Sequence, residues 1–210
     1  MQRNEHNADG ERCRERREHQ SFSSVEIAAA ENKLRLLQVM DGNSVLLLAC
    51  EADNYELAKV LLAMEVDVEK RDATRHRTPL MEATERGNEK MVRLLLEYGA
   101  DVNALSTWGS NPLMCACSNG HQQVVTLLLD ANADVENRNS SSDDTPLIAA
   151  AEAGHSDVAK ILLDHGAVLP SHLNDSRQSP LTQACLEGHL DMVRLLIDAY
   201  ADQKRQICDQ

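Results

Sequence analysis

One short pattern recurs five times in this chain, at steps of 33 or 34 residues. Its dipeptides are Ser44-Val45, Thr78-Pro79, Asn111-Pro112, Thr145-Pro146 and Ser179-Pro180, separated by 34, 33, 34 and 34 residues. Apolar triplets such as Leu94-Leu95-Leu96 follow at a fixed distance in every copy. A period of this length indicates stacked supersecondary units, which usually act through a shared surface and not through a catalytic pocket.

Each copy can be interpreted as a pair of helices. Thr78 suits a helix N-cap, because its hydroxyl can accept a hydrogen bond from a free amide. Proline suits the next position, where its missing N–H has no partner to lose. A first helix is therefore predicted from Pro79 to about Arg86 and a second from Glu89 to about Tyr98, each ended by a glycine.

The Thr-Pro-Leu, Gly-His and Gly-Ala-Asp sequences of these units resemble the ankyrin repeat, over about residues 23–204. The resemblance implies an all-α repeat solenoid of stacked helix-turn-helix units with projecting β-hairpin-like loops. Alternate units share Ala-Cys pairs at Cys50, Cys117 and Cys185, and in this the chain resembles the first ankyrin block of mask-type proteins. Those are large scaffolds with ankyrin arrays and a KH domain.

Two departures from the ankyrin pattern stand out. The histidine usual after Thr-Pro-Leu is replaced at Met81, Met114, Ile148 and Thr182, so a hydrogen bond that usually links neighbouring repeats is expected to be absent. The first unit has Ser44-Val45 and Asp53-Asn54 in place of the Thr-Pro and Gly-His of the pattern. We interpret it as a degenerate terminal repeat.

These observations divide the chain into four parts. Ser23 and Glu26 form a possible capping box, which predicts a half-repeat helix that covers the first unit. The predicted parts are a disordered charged segment at 1–22, a capping helix at 23–40, an ankyrin domain at 41–204 with repeats at about 41–73, 74–106, 107–140, 141–174 and 175–204, and a C-terminal tail at 205–210.

The C-terminal end of the array differs from its start in how it is capped. A polar capping repeat does not follow Asp202, so Leu190, Val193 and Leu196 are expected to face partly outward. Either the chain is related to a longer array or a partner covers this end, and we favour the first explanation.

Composition narrows the classes of function. Aromatic residues make up only 2% of the chain, so the core is expected to be Leu, Ala, Val and Met. The formal net charge is −13, and the first 22 residues contribute five Arg and five acids, so the repeats hold the negative charge. Such a body repels nucleic-acid phosphates. The chain also has no KH-type Gly-x-x-Gly loop. An RNA-associated regulatory scaffold is therefore kept only as an alternative, by analogy with mask-type proteins.

The start of the chain is polar and mixed in charge, and no apolar run approaches the roughly 20 residues of a membrane helix. We expect an intracellular protein, cytoplasmic or also nuclear. Cys50, Cys117 and Cys185 lie two units apart, beyond the ~7 Å reach of a disulfide. They are interpreted as small buried apolar groups.

The sequence motifs give little support for catalysis or metal binding. Cys115-x-Cys117-x-x-x-His121 has metal-like spacing, but residues two apart on a helix point to nearly opposite sides and a fourth ligand is missing. Gly-x-Ser-x-Gly, phosphate-loop and His-Glu-x-x-His motifs are absent from the sequence. The prediction is a non-enzymatic protein without cofactor or metal, with a hydrolase or metal protein as the competing class.

The ankyrin resemblance implies that loop tips and first helices line a concave groove for a partner protein. The sole tryptophan, Trp108, lies at a predicted tip, one unit from a basic spot that contains Arg75 and Arg77. Because exposed Trp and Arg are enriched at interface hot spots, a ligand with an acidic and an apolar group is expected. Alternatively, Trp108 only shields apolar surface on a neighbouring tip.

The chain is thus predicted to be a monomer that binds another protein. The candidate contact residues are Arg75, Arg77, Glu85, Arg86, Trp108, Ser110, Ser118, Asn119, Ser142, Asp144, Glu152, Gln178 and Leu186. Asn103 lies where ankyrin repeats are sometimes hydroxylated, so the resemblance implies a possible modification there.

Overall fold

The fold was analysed in a computed structural model that describes residues 45–169 and 179–208, with side chains through Arg205. The predicted 1–22 segment, the 23–40 cap and Gln178 lie outside the described residues. The described part contains ten helices in five consecutive pairs. They are α1 (Val45–Glu51), α2 (Tyr55–Ala63), α3 (Pro79–Glu85), α4 (Glu89–Glu97), α5 (Pro112–Ser118), α6 (Gln122–Asp130), α7 (Pro146–Ala153), α8 (Ser156–Asp164), α9 (Pro180–Leu186) and α10 (Leu190–Cys208).

The first helix of each later pair begins as predicted. The Thr78 hydroxyl accepts a hydrogen bond from the Met81 N–H, and Pro79 occupies the first turn of α3. Asn111, Thr145 and Ser179 cap α5, α7 and α9 in the same way. A side-chain oxygen at the cap satisfies one amide that the helix itself leaves free. This local chemistry explains why the predicted bounds of α3 and α4 agree with the structure to within one residue.

The helices form two stacked rows. The first helices α1, α3, α5, α7 and α9 pack on one another in order, and the second helices α2, α4, α6, α8 and α10 do the same. One Leu-rich core runs through both rows, with Leu80, Leu113, Leu128, Leu147 and Leu162 almost fully buried. Large aromatic side chains are not needed because each core layer is only two helices wide. The all-α repeat solenoid is thus confirmed.

In the third, fourth and fifth units, a histidine packs on a glycine of the unit before it. A Cβ added at Gly87 would lie 2.5 Å from the His121 ring, and Gly120 and Gly154 meet His155 and His189 in the same way. His121 Nε2 also lies 2.9 Å from the Glu85 carbonyl oxygen. The histidines of the Gly-His position therefore have a structural role, and hydrogen bonds from His121 and His189 link neighbouring units there.

The loops between units are hairpin-like, although none of the described residues forms a β-strand. Each of the three loops that lie wholly within the described residues is closed by a backbone hydrogen bond: Asp72 N–H to Arg77 C=O, Ser106 N–H to Ser110 C=O, and Asn139 N–H to Asp144 C=O. Neighbouring loops are linked through side chains at one repeated position. Glu69, Asn103 and Glu136 each accept a hydrogen bond from a backbone N–H of the next unit.

The first unit departs from the others as its sequence indicates. Asp53 stands where the later units have glycine and adopts the same positive φ, of 53°. Asn54 replaces histidine and caps α2 by accepting a hydrogen bond from the Leu57 N–H. The unit keeps the backbone geometry, and Asn88 of the second unit, which stands in place of histidine, donates a hydrogen bond to the Asp53 carboxylate.

The last unit differs from the sequence predictions at three points. Leu196 is 0% exposed, so its predicted outward position is wrong, whereas Leu190 is 69% exposed as expected and Val193 is partly buried. Cys185 is exposed, unlike its buried equivalents Cys50 and Cys117. The reason is its place on the side of α9 where earlier units pack against a following unit. Helix α10 also continues to Cys208, through residues predicted to form a tail.

The histidine–glycine contact can be tested with two equivalent glycines. Gly154 and Gly188 have φ of 77° and 76°, but only Gly154 lies under a histidine ring. Gly188→Ala should therefore cost only the positive-φ penalty, about 1–2 kcal/mol. Gly154→Ala should cost a further ~1–3 kcal/mol from the clash with His189. Equal losses in urea-denaturation stability would contradict this role of the contact.

Candidate protein-binding face

We call the loop tips, taken together with the exposed sides of the first helices, the inner face. Its described tips are residues 72–77, 106–110 and 139–144, and its helices are α3, α5, α7 and α9. This face is where the predicted contact residues with described positions are found. The contacts of each residue determine whether its side chain is available to a partner.

The first tip is organised by Asp72. One of its carboxylate oxygens lies within hydrogen-bonding distance of the backbone N–H groups of Thr74, Arg75 and His76, and of the Thr74 hydroxyl. Partial burial acts to raise the pKa of Asp72, but these donors, led by the Arg75 amide, outweigh it and hold the pKa below its usual value of 3.8. The charged carboxylate therefore fixes the backbone path that carries Arg75.

The other two tips use different side chains at the same position. Ser106 Oγ accepts from the Ser110 N–H at 3.2 Å, and Asn139 Oδ1 accepts from the Ser142 N–H at 2.8 Å. Short polar side chains of this kind hydrogen-bond the backbone two to four residues ahead and so shape turns. All three tips are thus held by local hydrogen bonds before any partner arrives.

Neighbouring tips are joined by backbone hydrogen bonds. Thr107 N–H donates to the Arg75 carbonyl at 3.0 Å, and Ser140 N–H donates to the Trp108 carbonyl at 2.8 Å. A Cβ at Gly109 would lie 2.7 Å from the Ser140 nitrogen, so only glycine allows this close approach. The three tips therefore form one continuous edge.

Arg75 and Trp108 meet on this edge. The Arg75 guanidinium carbon lies 5.8 Å from the centre of the Trp108 ring, within the range of a cation–π contact. Trp108 remains 52% exposed. The ring thus contacts the Arg75 side chain of the neighbouring tip and still offers a large apolar surface beside a positive charge.

Arg77 is placed differently from Arg75. Its side chain is largely buried and forms ion pairs with Glu85 and, at 3.7 Å, with Glu82, while Nη2 donates to the Met81 carbonyl. Glu82 also pairs with Arg86 at 2.9 Å. Four charges therefore neutralise one another on α3 and the adjoining loop, and only Glu85 and Arg86 retain much exposed surface.

Cys115 lies beside this ion cluster. Burial raises the pKa of its thiol to about 11; Arg77 acts to lower the pKa and Glu85 to raise it. Burial lowers the pKa of Arg77, but nearby negative groups outweigh it and the net pKa is raised. The thiol is therefore neutral at ordinary pH and is a poor nucleophile. Within the described residues, no three His, Cys, Asp or Glu side chains are grouped to hold a metal.

The remaining candidates are mostly engaged within their own segments. Ser118 Oγ donates to the Met114 carbonyl and Asn119 Nδ2 to the Cys115 carbonyl, so both are partly satisfied by α5. Ser110 is partly buried, and Ser142 and Asp144 are bonded to each other at the third tip. Glu152 and Leu186 are exposed on α7 and α9.

Asn103 lies on the chain between α4 and the second tip. Its Oδ1 accepts from the Asp134 N–H at 2.8 Å, and its Nδ2 lies 3.3 Å from the Asn132 carbonyl oxygen. The side chain therefore links two units while the residue stays exposed. Hydroxylation at this position stays a prediction, testable as the mass gain of one oxygen atom on its peptide.

Sequence reasoning did not single out Asp72 or Glu82. The spacing of Glu82 and Arg86, four residues apart on a helix, is a signal that could have revealed their ion pair. Asp72 precedes a turn in the way that Asx turns require. The number of successive amides that it binds, and the positive φ of 52° at His76 in the same tip, are not evident from the sequence.

The role of Asp72 predicts a pH effect. Because its folded pKa is lowered, its contribution to stability is present above the unfolded value near 3.8 and is lost as pH falls through the lower folded pKa. Asp72→Asn should therefore be less stable than the wild type at pH 7, and the difference should shrink below about pH 4. Denaturation curves at several pH values would measure it, beside Asp130→Asn at an exposed position of α6. A pH-independent difference would contradict the assignment.

Comparison with known proteins agrees with this architecture. A family model for ankyrin repeats, described as three copies, matches residues 19–106, 46–139, 98–171 and 136–207. The chain belongs to the ankyrin repeat family. Repeats of this family are interaction modules that bind other proteins and are typically not enzymes.

Particular relatives match shorter stretches. The chain is 49% identical over 70 residues to the ankyrin repeat and KH domain-containing protein mask of Drosophila melanogaster, covering 33% of this chain and 2% of the relative. It is 48% identical over 56 residues to the putative ankyrin repeat protein FPV244 of fowlpox virus (strain NVSL), covering 27% and 8%. It is 39% identical over 62 residues to the mouse (Mus musculus) ankyrin repeat and SAM domain-containing protein 6, covering 30% and 7%.

These matches confirm the similarity to mask-type proteins, while spanning less than a tenth of each relative. What those whole proteins do therefore does not transfer directly. Among residues 45–169 and 179–208, none of the helices has the length and apolar character needed to cross a bilayer.

Proposed function

We propose that this chain is a non-enzymatic scaffold that binds a segment of another protein on its inner face, with Arg75 and Trp108 as the anchor. The observation that carries the proposal is the exposed Trp108 ring held against the Arg75 guanidinium at 5.8 Å. Trp and Arg dominate interface hot spots because they combine large contact area with strong directional contacts.

The anchor is arranged in advance. Backbone hydrogen bonds join Arg75 to Thr107 and Trp108 to Ser140, and Asp72 holds the first tip. A partner therefore does not have to order these loops on binding. Preorganisation of this kind raises affinity, because the conformational entropy has already been lost during folding.

The chemistry of the anchor defines the partner. An apolar side chain fits the open part of the Trp108 ring, and a carboxylate or another anionic group fits the Arg75 guanidinium. Arg77 does not serve this purpose, because Glu82 and Glu85 already pair with it. We therefore propose a peptide segment in which an acidic residue lies close to a large apolar residue.

Trp108→Ala tests the proposal directly. Affinity capture from a lysate, followed by mass spectrometry, would compare the wild type with Trp108→Ala and with Leu105→Ala. Leu105 is a suitable control because it is also an exposed apolar residue near the second tip. A specific partner should bind Trp108→Ala about tenfold more weakly or worse, while Leu105→Ala keeps it.

Stability must be measured on the same variants. Because Trp108 is half exposed, its truncation should change the free energy of unfolding by less than about 1 kcal/mol. The proposal would be contradicted if the wild type, Trp108→Ala and Leu105→Ala captured the same proteins. It would also be contradicted if Trp108→Ala lost binding only because the variant unfolds. Arg75→Ala beside Arg93→Ala, an exposed arginine on α4, gives an independent test of the charge.

A further inference from the structure

The third loop tip carries three serines followed by two aspartates. Its sequence from 140 to 144 is Ser-Ser-Ser-Asp-Asp. Ser140 and Ser141 are exposed, whereas Ser142 is partly buried and its hydroxyl bonds Asn139 within the tip. The first two hydroxyls are therefore open to another molecule, while the third is engaged by the tip itself.

The spacing between these hydroxyls and the acids is rare in this chain. Of all its serines and threonines, only Ser23, Ser140 and Ser141 have an acidic residue three positions later, and Ser23 lies outside the described residues. At the first tip the residue equivalent to Ser141 is Thr74, which is also exposed but is followed by two arginines. A protein kinase with a basic substrate cleft would therefore favour the third tip over the first.

The tip is closed by other atoms than these two hydroxyls. The Asn139 N–H donates to the Asp144 carbonyl at 3.0 Å, and Asn139 Oδ1 accepts from the Ser142 N–H at 2.8 Å. The Ser141 hydroxyl adds a longer bond, of 3.3 Å, to the same Oδ1. A phosphoryl group on Ser140 or Ser141 can therefore be accommodated without breaking the bonds that close the tip.

The third tip adjoins the Arg75–Trp108 anchor. The Ser140 N–H donates to the Trp108 carbonyl at 2.8 Å, and Ser140 Oγ lies 3.1 Å from the position of a Cβ at Gly109. A phosphoserine carries about −1.5 to −2 charges at pH 7. Neighbouring helix layers are about 8–10 Å apart, and the Debye length is ~8 Å at physiological ionic strength. The charge of a phosphate on this tip would therefore be felt at the Trp108 ring with only partial screening.

We propose that Ser140 and Ser141 form a phosphorylation site for an acid-directed serine kinase, and that the phosphate weakens the binding of anionic groups at the Arg75–Trp108 anchor. Arg75 lies on the tip before Trp108, and the phosphate would lie on the tip after it. One base and two acids at 138–144 give that tip a charge of −1, which a phosphate changes to about −3. The effect on a protein partner rests on the proposed function, whereas the modification itself does not.

The transfer uses magnesium–ATP and the base of the kinase. The serine Oγ attacks the γ-phosphorus of ATP, an O–P bond forms, and the bond from that phosphorus to the ADP oxygen breaks. The hydroxyl proton passes to the catalytic aspartate of the kinase, and ADP leaves. The reaction needs neither an oxidant nor a reductant.

The first test is labelling of the folded full chain by a purified acid-directed serine kinase with magnesium–ATP. Mass spectrometry of the digested protein should place a phosphoryl group on Ser140 or Ser141 and none on Thr74. The double variant Asp143→Asn/Asp144→Asn should be labelled about tenfold more slowly or worse, because it keeps the shape of both side chains and removes their charge. A synthetic peptide of residues 137–147 is labelled in parallel, free of the fold.

The outcomes of this test are distinct. If the peptide is labelled and the folded chain is not labelled at these serines, the tip is inaccessible and the proposal is overturned. Absence of label from both the peptide and the folded chain overturns it as well, since the sequence is then not a substrate. Equal rates for the wild type and Asp143→Asn/Asp144→Asn would show that the acids do not direct the kinase.

The second test uses Trp108, the sole tryptophan of the chain, to report the electric field at the anchor. Iodide is an anionic quencher of indole fluorescence, and acrylamide is a neutral one. At constant ionic strength, phosphorylation should lower the iodide quenching constant by about 1.5- to 2-fold and leave the acrylamide constant unchanged. Arg75→Ala should also lower the iodide constant, whereas Arg93→Ala on α4 should not.

The matched control is Ser140→Ala/Ser141→Ala carried through the same kinase reaction, so that label elsewhere in the chain is accounted for. Its iodide quenching should not change. An unchanged iodide constant in the phosphorylated wild type would overturn the effect on the anchor, and so would an equal fall in the control.

Failure of the proposed function would give a different pattern. If Trp108→Ala captures the same proteins as the wild type, the anchor is not used, yet the labelling and iodide results stand. If a protein is captured through Trp108, the phosphorylated chain should bind it about threefold more weakly or worse at low salt, with a smaller difference at high salt. Undiminished capture by the phosphorylated chain would overturn the regulatory effect.

Discussion

Burial of one helix pair against the next is the interaction on which this structure depends. A single unit is two helices thick and cannot enclose its own leucines, so Leu80, Leu113 and Leu147 are buried only because units stack. From the second unit onward, a histidine of the next unit packs on Gly87, Gly120 and Gly154 at each described junction. Between the first and second units, Asn88 hydrogen-bonds Asp53 in place of that contact.

Regular stacking also makes the inner face possible. Since successive units hold the same spacing, the tips come close enough for Thr107 to bond Arg75 and for Ser140 to bond Trp108. The backbone frame is then constant, and side chains at equivalent positions can vary without loss of structure. Asp72, Ser106 and Asn139 all hold their turns, although one is charged and two are neutral.

The features that could be predicted from the sequence depend on contacts within a few residues, whereas those that could not depend on how elements are placed in the fold. Helix starts were predictable, because the cap at Thr78 and the turn at Gly87 act over a few residues. The alignment also contained the signal for Leu196, which occupies the buried position of Leu95 and Leu128. The pairing of Arg77 with Glu82 and Glu85 brings a loop residue onto α3, a tertiary placement that repeat spacing does not specify.

The Arg75–Trp108 anchor depends on the same regular spacing of units. Arg75 lies on the first tip and Trp108 on the second, and the two tips are joined by the hydrogen bond from the Thr107 N–H to the Arg75 carbonyl. The cation–π contact is therefore formed between two units and not within one. A change that loosens the packing between these two units would separate the two halves of the anchor without altering either side chain.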